Sequence, residues 1–234
     1  MHFTTRSASR FALSAVTLVA GLLAQSAAQA AALTQPVFPT PFADTALSGT
    51  TAAARPELAG TILEDVLTPF SFDGVSGTVQ NRVVKETGTG TLDFYWKVDV
   101  DASSTGTGVG ALRLIDFDAS KLTDGDYRID GLGTVAPATA RVFNNTSYPD
   151  GAINFLFNSG VTAGSESRFF FLHTDATTYA KTGQYDLLTA GSQQLSGTFQ
   201  TFAPSAVPEP SSLALTFVGV VAVGALARKR KQAA

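Results

Sequence analysis

One segment of the chain alternates apolar and polar residues with a strict period of two. The eleven residues Thr91–Asp101 read TLDFYWKVDVD. Five apolar side chains share one face: Leu92, Phe94, Trp96, Val98 and Val100. The opposite face carries Asp93, Tyr95, Lys97, Asp99 and Asp101. Because successive side chains of a strand point to opposite sides, this pattern predicts a β-strand with one buried and one solvated face.

Similar short segments follow one another along residues 58–204, separated by turns rich in Gly, Asn and Asp. No amphipathic run of ten residues favours a helix there. Further strands are predicted at Thr61–Phe72, Val75–Glu86, Val109–Phe117, Tyr127–Ile129, Ala138–Phe143, Ala152–Phe157, Arg168–His173 and Leu195–Phe202. They predict an all-β domain over 58–204, an antiparallel β-sandwich of jelly-roll type. Residues 31–57 are rich in Ala, Thr and Pro, which predicts a weakly ordered leader or linker.

The N-terminal thirty residues have the three parts of a secretion signal. Arg6 and Arg10 precede the apolar run 11–24, and Ala28-Gln29-Ala30 ends the segment with a small-x-small pattern. We expect signal peptidase to cleave between Ala30 and Ala31, which makes residues 1–30 a signal peptide. The alternative is a permanent membrane helix, but fourteen residues would rise only about 21 Å, short of the ~30 Å hydrocarbon core.

The C-terminal segment, residues 205–231, also has three parts. Pro208-Glu209-Pro210 precedes an apolar stretch at 211–227, which we expect to be a transmembrane helix. A basic cluster follows: Arg228, Lys229, Arg230 and Lys231. By the positive-inside rule these four residues stay in the cytoplasm as a membrane stop, which leaves the β-domain outside the inner membrane. The alternative is an ordinary single-pass anchor with an incidental Pro-Glu-Pro.

This order of Pro-Glu-Pro, short helix and basic cluster resembles the PEP-CTERM sorting signal of Gram-negative bacteria. The same signature also carries the name of an ice-binding protein C-terminal domain. The resemblance implies that an exosortase recognises Pro208-Glu209-Pro210, cuts nearby, and sends the domain to the cell surface or the medium. It also implies an association with exopolysaccharide and biofilm. The segments GTLDFYWKV (90–98), DYRIDGLGTVAP (126–137) and RFFFLHTDATTY (168–179) look similar to the bodies of such proteins.

Composition excludes several kinds of function. Residues 31–206 carry ten Lys or Arg and eighteen Asp or Glu, a net charge near −8. Such an acidic domain repels phosphates, so we expect no nucleic-acid partner. The chain has no cysteine, which excludes disulfides, thiol nucleophiles and Cys-ligated metals.

Candidate catalytic residues are few. His173 and Asp175 are spaced to share one face of a strand, as a base and its orienting carboxylate would. No G-x-S-x-G sequence supplies a nucleophile, and the interpretation we favour makes Asp175 a turn residue. We therefore predict no enzyme activity and no catalytic residue.

Metal and cofactor sites are not predicted either. With two histidines in the chain, His2 inside the signal and no cysteine, a zinc site is not expected. Calcium accepts oxygen ligands, and the acidic candidates are Asp116, Asp118, Asp124, Asp126 and Asp130, with Asp99 and Asp101. No EF-hand loop organises them, and Asp is common in turns, so the prediction is solvated turns and no metal or cofactor.

Three functions remain open for the β-domain. The first is a non-catalytic surface or matrix protein. The second is a carbohydrate-binding module, for which Tyr95 on the polar strand face is the candidate glycan contact, with Tyr127, Tyr148 and Tyr179 as further rings. The third, an envelope hydrolase, is disfavoured by the residues present. Ice binding would need a long Thr ladder, and the alternation of Thr with Gly at 87–91 and 105–107 is too short for one.

Overall fold

The computed structural model describes residues 31–37, 39–143 and 152–205. These residues contain eleven strands. The strands are β1 (Phe42–Ala46), β2 (Gly60–Phe72), β3 (Val75–Glu86), β4 (Leu92–Val100), β5 (Val109–Ile115), β6 (Leu122–Tyr127), β7 (Thr139–Phe143), β8 (Ile153–Val161), β9 (Phe170–Thr174), β10 (Tyr179–Thr189) and β11 (Phe199–Pro204). Two single-turn 3₁₀ helices lie at Pro56–Leu58 and Ala119–Lys121.

The strands form two antiparallel sheets, which confirms the prediction of an all-β protein. The six-stranded sheet has the order β1-β7-β8-β5-β10-β11, and the five-stranded sheet has the order β2-β3-β4-β9-β6. The two sheets pack face to face, as in a β-sandwich. Within the described residues no helix is long and apolar enough to span a membrane, and the 211–227 segment lies outside that range.

Aromatic rings fill the space between the sheets. Phe170 of β9 lies 4.6 Å from Phe155 of the opposite sheet and 6.3 Å from Trp96, measured between ring centroids. The indole N–H of Trp96 donates to Thr201 Oγ1 (2.9 Å), whose hydroxyl in turn donates to Asn81 Oδ1 (2.9 Å). This buried polar chain joins β4 and β3 to β11 across the sandwich.

Strands β2 to β5 lie within two residues of their predicted positions. The β2–β3 hairpin closes on Asp73-Gly74, where φ is +44° and +73°. A two-residue turn with both φ angles positive matches the right-handed twist of the strands, and Asp-Gly suits it. The prediction for Tyr127–Ile129 was misplaced, since β6 ends at Tyr127, and β1 and β10 were not predicted.

The described residues of the segment 31–57 are part of the domain, so the prediction of a weakly ordered leader is wrong. Its residues 42–46 form edge strand β1, which pairs with β7. Leu33 belongs to the core between the sheets. Arg55 and Leu58 are 8% and 2% exposed against the outer face of the five-stranded sheet. We call the residues 51–59 the cover segment.

The prediction of a solvated face on β4 is also wrong. Asp93, Tyr95 and Lys97 point away from the sandwich core, yet they are 0%, 4% and 8% exposed. A second, smaller apolar cluster lies on this outer face and contains Leu58, Val84, Tyr95, Phe169 and Phe171. The five-stranded sheet is therefore buried on both sides at its centre.

Candidate functional site

Three titratable side chains meet on the outer face of the five-stranded sheet. Glu86 is the last residue of β3, Asp93 lies near the start of β4, and His173 lies in β9. Asp93 and His173 are direct partners in the antiparallel register of β4 and β9. Glu86 N–H donates to Thr91 O and so closes the β3–β4 connection. Three adjacent strands thus bring the three residues together. Asp93 and His173 lie 80 positions apart in the sequence, whereas Glu86 and Asp93 are separated only by the β3–β4 turn.

The ring nitrogen Nδ1 of His173 is the centre of the cluster. It lies 2.7 Å from Asp93 Oδ1 and 2.8 Å from Glu86 Oε1. The carboxylate side chains of Glu86 and Asp93 are both 0% exposed, whereas the His173 side chain is 15% exposed. The second oxygen of Glu86, Oε2, accepts hydrogen bonds from the hydroxyls of Thr89 and Thr91, the latter at 2.7 Å.

Burial and charge act on the cluster in opposite directions. Burial raises the pKa of Asp93 to about 6, although the hydrogen bond and charge of His173 act to lower it. Burial by itself would lower the pKa of His173. The hydrogen bond and charge of Asp93, helped by Asp124 and Glu86, outweigh that effect and raise the pKa of His173. A buried cluster of two carboxylates and one imidazole therefore favours the binding of a proton or a cation.

The cover segment carries its own ion pairs over this cluster. Arg55 Nη1 and Nη2 donate to the two carboxylate oxygens of Asp124 at 2.9 and 3.2 Å. Arg55 Nε donates to Glu57 Oε1 at 2.7 Å, and its guanidinium lies 5.8 Å from the Phe171 ring centroid. Asp124 stands beside His173 in the β6–β9 register. The charge of Arg55 is therefore already matched by carboxylates other than Glu86 and Asp93.

A groove of about 310 Å³ opens beside the cluster, between the cover segment and the sheet. Its lining is mainly apolar, with Leu58, Ile62 and Leu132 at its sides and the Tyr95 and Phe169 rings among its walls. Two guanidinium groups also reach it. Arg82 lies 4.7 Å from the Phe169 ring centroid and bonds Asp65 at 2.8 Å, and Arg128 bonds Asp130 at 2.7 Å.

The structure gives the predicted site residues other partners than the sequence suggested. His173 contacts Asp93 and Glu86, while Asp175 is exposed in a bend after β9, so the pairing of His173 with Asp175 that we weighed and did not favour does not form. Tyr95 was expected to be an exposed glycan contact, but its ring is 4% exposed and packs at 5.1 Å on Phe171. The hydroxyls of Tyr127 and Tyr179 donate to Ser48 O and Glu64 Oε1.

The calcium candidates do not form one cluster within the described residues. The group of three whose ligand atoms lie within 4.8 Å of one another there is Glu86, Asp93 and His173. Most of the candidate aspartates accept hydrogen bonds from separate donors. The donors are Gln184 for Asp116, Ser120 for Asp118, Arg55 for Asp124, the Gly49 and Tyr127 amides for Asp126, Arg128 for Asp130 and Ser76 for Asp101.

Several predicted residues lie outside the described part of the chain. These are the signal peptide with Ala30, Tyr148, the sorting motif Pro208, Glu209 and Pro210, the transmembrane segment 211–227, and the basic residues Arg228, Lys229, Arg230 and Lys231. Ala31, the other side of the predicted cleavage site, is described and bridges to Gly125 of β6.

Sequence reasoning missed Glu86 as a site residue and placed Asp93 on a solvated face. Glu86 stands at the end of a predicted strand before a Thr- and Gly-rich turn, where a carboxylate is ordinary. One available signal was the run Phe169-Phe170-Phe171, because alternation must send rings to both sides of β9 and so requires apolar cover on its outer face as well. That cover explains why neighbouring carboxylates are buried.

Comparisons with protein-family models, curated proteins and solved structures find no match to this chain. The fold and the site define an all-β, two-sheet domain with a buried Glu-Asp-His cluster and an apolar groove on one outer face. The resemblance to the PEP-CTERM family depends on the residues of the tail and stays a prediction.

Proposed function

We propose that this chain is an exported, non-catalytic surface or extracellular-matrix protein, sorted by an exosortase through Pro208-Glu209-Pro210. The observation that carries the proposal is the order of segments in the tail: the Pro-Glu-Pro motif, seventeen residues without charge at 211–227, and four basic residues at 228–231. In this proposal, the two prolines keep the transmembrane helix from extending into the periplasm. The motif then lies at the membrane surface, where an enzyme can reach it.

The predicted path is export across the inner membrane, removal of residues 1–30 by signal peptidase, and transient anchoring by 211–227. Processing then delivers the β-domain to the cell surface or to exopolysaccharide in a biofilm. We also propose that the β-sandwich is of the jelly-roll type.

The test replaces Pro208, Glu209 and Pro210 together with Ala and follows the protein by cell fractionation. We expect the variant to stay unprocessed in the inner membrane, whereas the wild type reaches the surface or the medium. The matched control replaces the exposed prolines Pro39 and Pro41 and should leave processing unchanged. Normal processing and delivery of the motif variant would contradict the sorting proposal.

A carbohydrate-binding module is the second candidate, and the groove beside the cover segment favours it. There the exposed side chains of Ile62 and Leu132 meet the guanidinium groups of Arg82 and Arg128, which can donate to sugar hydroxyls. A glycan array with the purified chain tests it. We expect Leu132→Asp to abolish binding and Leu195→Asp, an exposed apolar site elsewhere, to keep it. No binding to any glycan would remove this candidate.

A further inference from the structure

The buried cluster holds more negative charge than its described partners balance. Glu86 and Asp93 are 3% and 0% exposed, and a single imidazole stands between them. Arg55, the nearest guanidinium, is paired with Asp124 and Glu57. If both carboxylates are ionised and His173 is protonated, one negative charge is left over, and a buried charge without a partner is strongly unfavourable.

Two carboxylate oxygens in the cluster have no hydrogen-bond donor within the described residues. They are Glu86 Oε1 and Asp93 Oδ2, both fully buried. The hydrogen bond of His173 Nδ1 goes to Asp93 Oδ1. Glu86 Oε2 is held by the hydroxyls of Thr89 and Thr91, so that Oε1 is turned toward the imidazole. Hydrogen bonds that orient one oxygen of a carboxylate and leave the other facing a shared centre are typical of metal ligands.

We propose that Glu86, Asp93 and His173 form a binding site for a divalent transition metal ion, with zinc as the best match. The donor set is one imidazole nitrogen and two carboxylate oxygens, three protein ligands that leave a fourth position of a tetrahedral zinc site for water. A divalent cation with neutral His173 balances the two carboxylates. Calcium fits less well, because it takes six to eight oxygen ligands and this cluster includes a nitrogen.

The distances between His173 Nδ1 and the two carboxylate oxygens fit a site in which these groups share a proton when no metal is bound. Ligand atoms around tetrahedral zinc lie about 3.3 Å apart, since zinc bonds nitrogen and oxygen at about 2.0–2.1 Å. The atoms of the cluster lie 2.7 and 2.8 Å from His173 Nδ1. Metal binding therefore requires the side chains to separate by roughly 0.5 Å.

This inference revises the prediction that no metal is bound. That prediction counted one histidine and no cysteine, and it did not foresee that β3 and β4 would bring two buried carboxylates to the same imidazole. The proposed ion would join β3, β4 and β9 on the outer face of the sheet. It is independent of export and sorting, so either proposal can fail alone.

The test is calorimetric titration of the full chain in detergent, freed of metal with a chelator, using zinc, manganese and calcium chlorides in turn. We expect one zinc ion per chain with a dissociation constant in the micromolar range or tighter, and weaker binding of calcium. At about a hundredfold excess over the dissociation constant, zinc should raise Tm by about 5–10 °C. Zinc affinity weaker than millimolar would overturn the proposal.

Matched variants locate the ion. Glu86→Gln, Asp93→Asn and His173→Gln keep side-chain size and should each weaken zinc binding at least about tenfold. His2→Gln removes the other imidazole of the chain and should leave affinity unchanged. X-ray absorption at the zinc edge of the wild-type complex gives a result that does not depend on the folding of variants. One imidazole with oxygen neighbours is expected, and a shell without imidazole would overturn the proposal.

Discussion

The two faces of the five-stranded sheet are buried in different ways. Its inner face packs against a second sheet through rings such as Trp96 and Phe170, with one short polar chain through Thr201. Its outer face is covered at its centre by the cover segment, beside which Glu86 and Asp93 are buried together with apolar rings. A complete sheet excludes water evenly, whereas a narrow segment leaves room for a charged cluster and a groove.

The largest expected effect is on the inner face. Trp96→Ala removes a fully buried indole and its hydrogen bond to Thr201, so we expect a loss of about 3–5 kcal/mol in the free energy of unfolding. Urea denaturation followed by far-UV circular dichroism measures it, because the variant has no tryptophan for fluorescence. Leu132→Ala, at an exposed site, serves as the control. A loss below about 1 kcal/mol for Trp96→Ala would contradict the inner-face packing described here.

The next largest effect tests the cover of the outer face. Arg55→Ala removes the guanidinium of the cover segment that pairs with the carboxylates of both Asp124 and Glu57. We expect a loss of about 2–4 kcal/mol. Arg141→Ala breaks a similar two-bond pair with Asp44 at a more exposed position, where about 0–1 kcal/mol is expected. Equal losses in urea denaturation would show that the cover segment does not bury its ion pairs.

A smaller effect is expected at the polar chain between the sheets. Thr201→Val keeps the shape of the side chain but leaves the Trp96 indole N–H and the Asn81 carbonyl oxygen without their partner. Buried groups left unpaired cost about 1–3 kcal/mol, so we expect a loss in that range. Thr201→Ser keeps the hydroxyl and should lose less. If valine is tolerated better than serine in thermal melts, the hydroxyl is not structurally important.

The last effect concerns pH and distinguishes the outer cluster from ordinary surface pairs. The pKa of Asp93 is raised from 3.8 to about 6 by burial, and that of His173 is raised above 6.5 by Asp93 and its neighbours. Both groups bind protons more tightly when folded, so they stabilise the native state at low pH. That stability is lost as pH rises from about 4 through 7.

Chelator-treated protein should therefore lose roughly 2–3 kcal/mol over this pH interval, and Asp93→Asn should flatten the slope. The titratable groups around Asp93 are His173, Glu86, Arg55 and Asp124. Asp44 has a pKa that is lowered by Arg141, so its contribution to stability has the opposite pH dependence. That contribution is lost as the pH falls below about 4. Thermal melts between pH 4 and 8 measure the effect, and a slope unchanged by Asp93→Asn would contradict it.

Much of the fold could be predicted from local patterns. The alternation in 91–101 and the strands β2, β3 and β5 needed only the period of side chains along a strand. Strand β1 was missed because prolines at 36, 39 and 41 indicate a leader. Strand β10 was missed because polar residues interrupt its apolar ones, and pairing with both β5 and β11 determines its conformation.

The sequence by itself determined the strand-rich class of the domain, the inward residues of β4 and the order of segments in the tail, because these depend on neighbours along the chain. Only the tertiary structure decided that the other side of β4 is buried too, and that Glu86, Asp93 and His173 meet. Burial on that side depends on a segment about forty residues earlier and a strand about eighty residues later. Period-two patterns report which residues share a face, but they cannot report what lies across from that face.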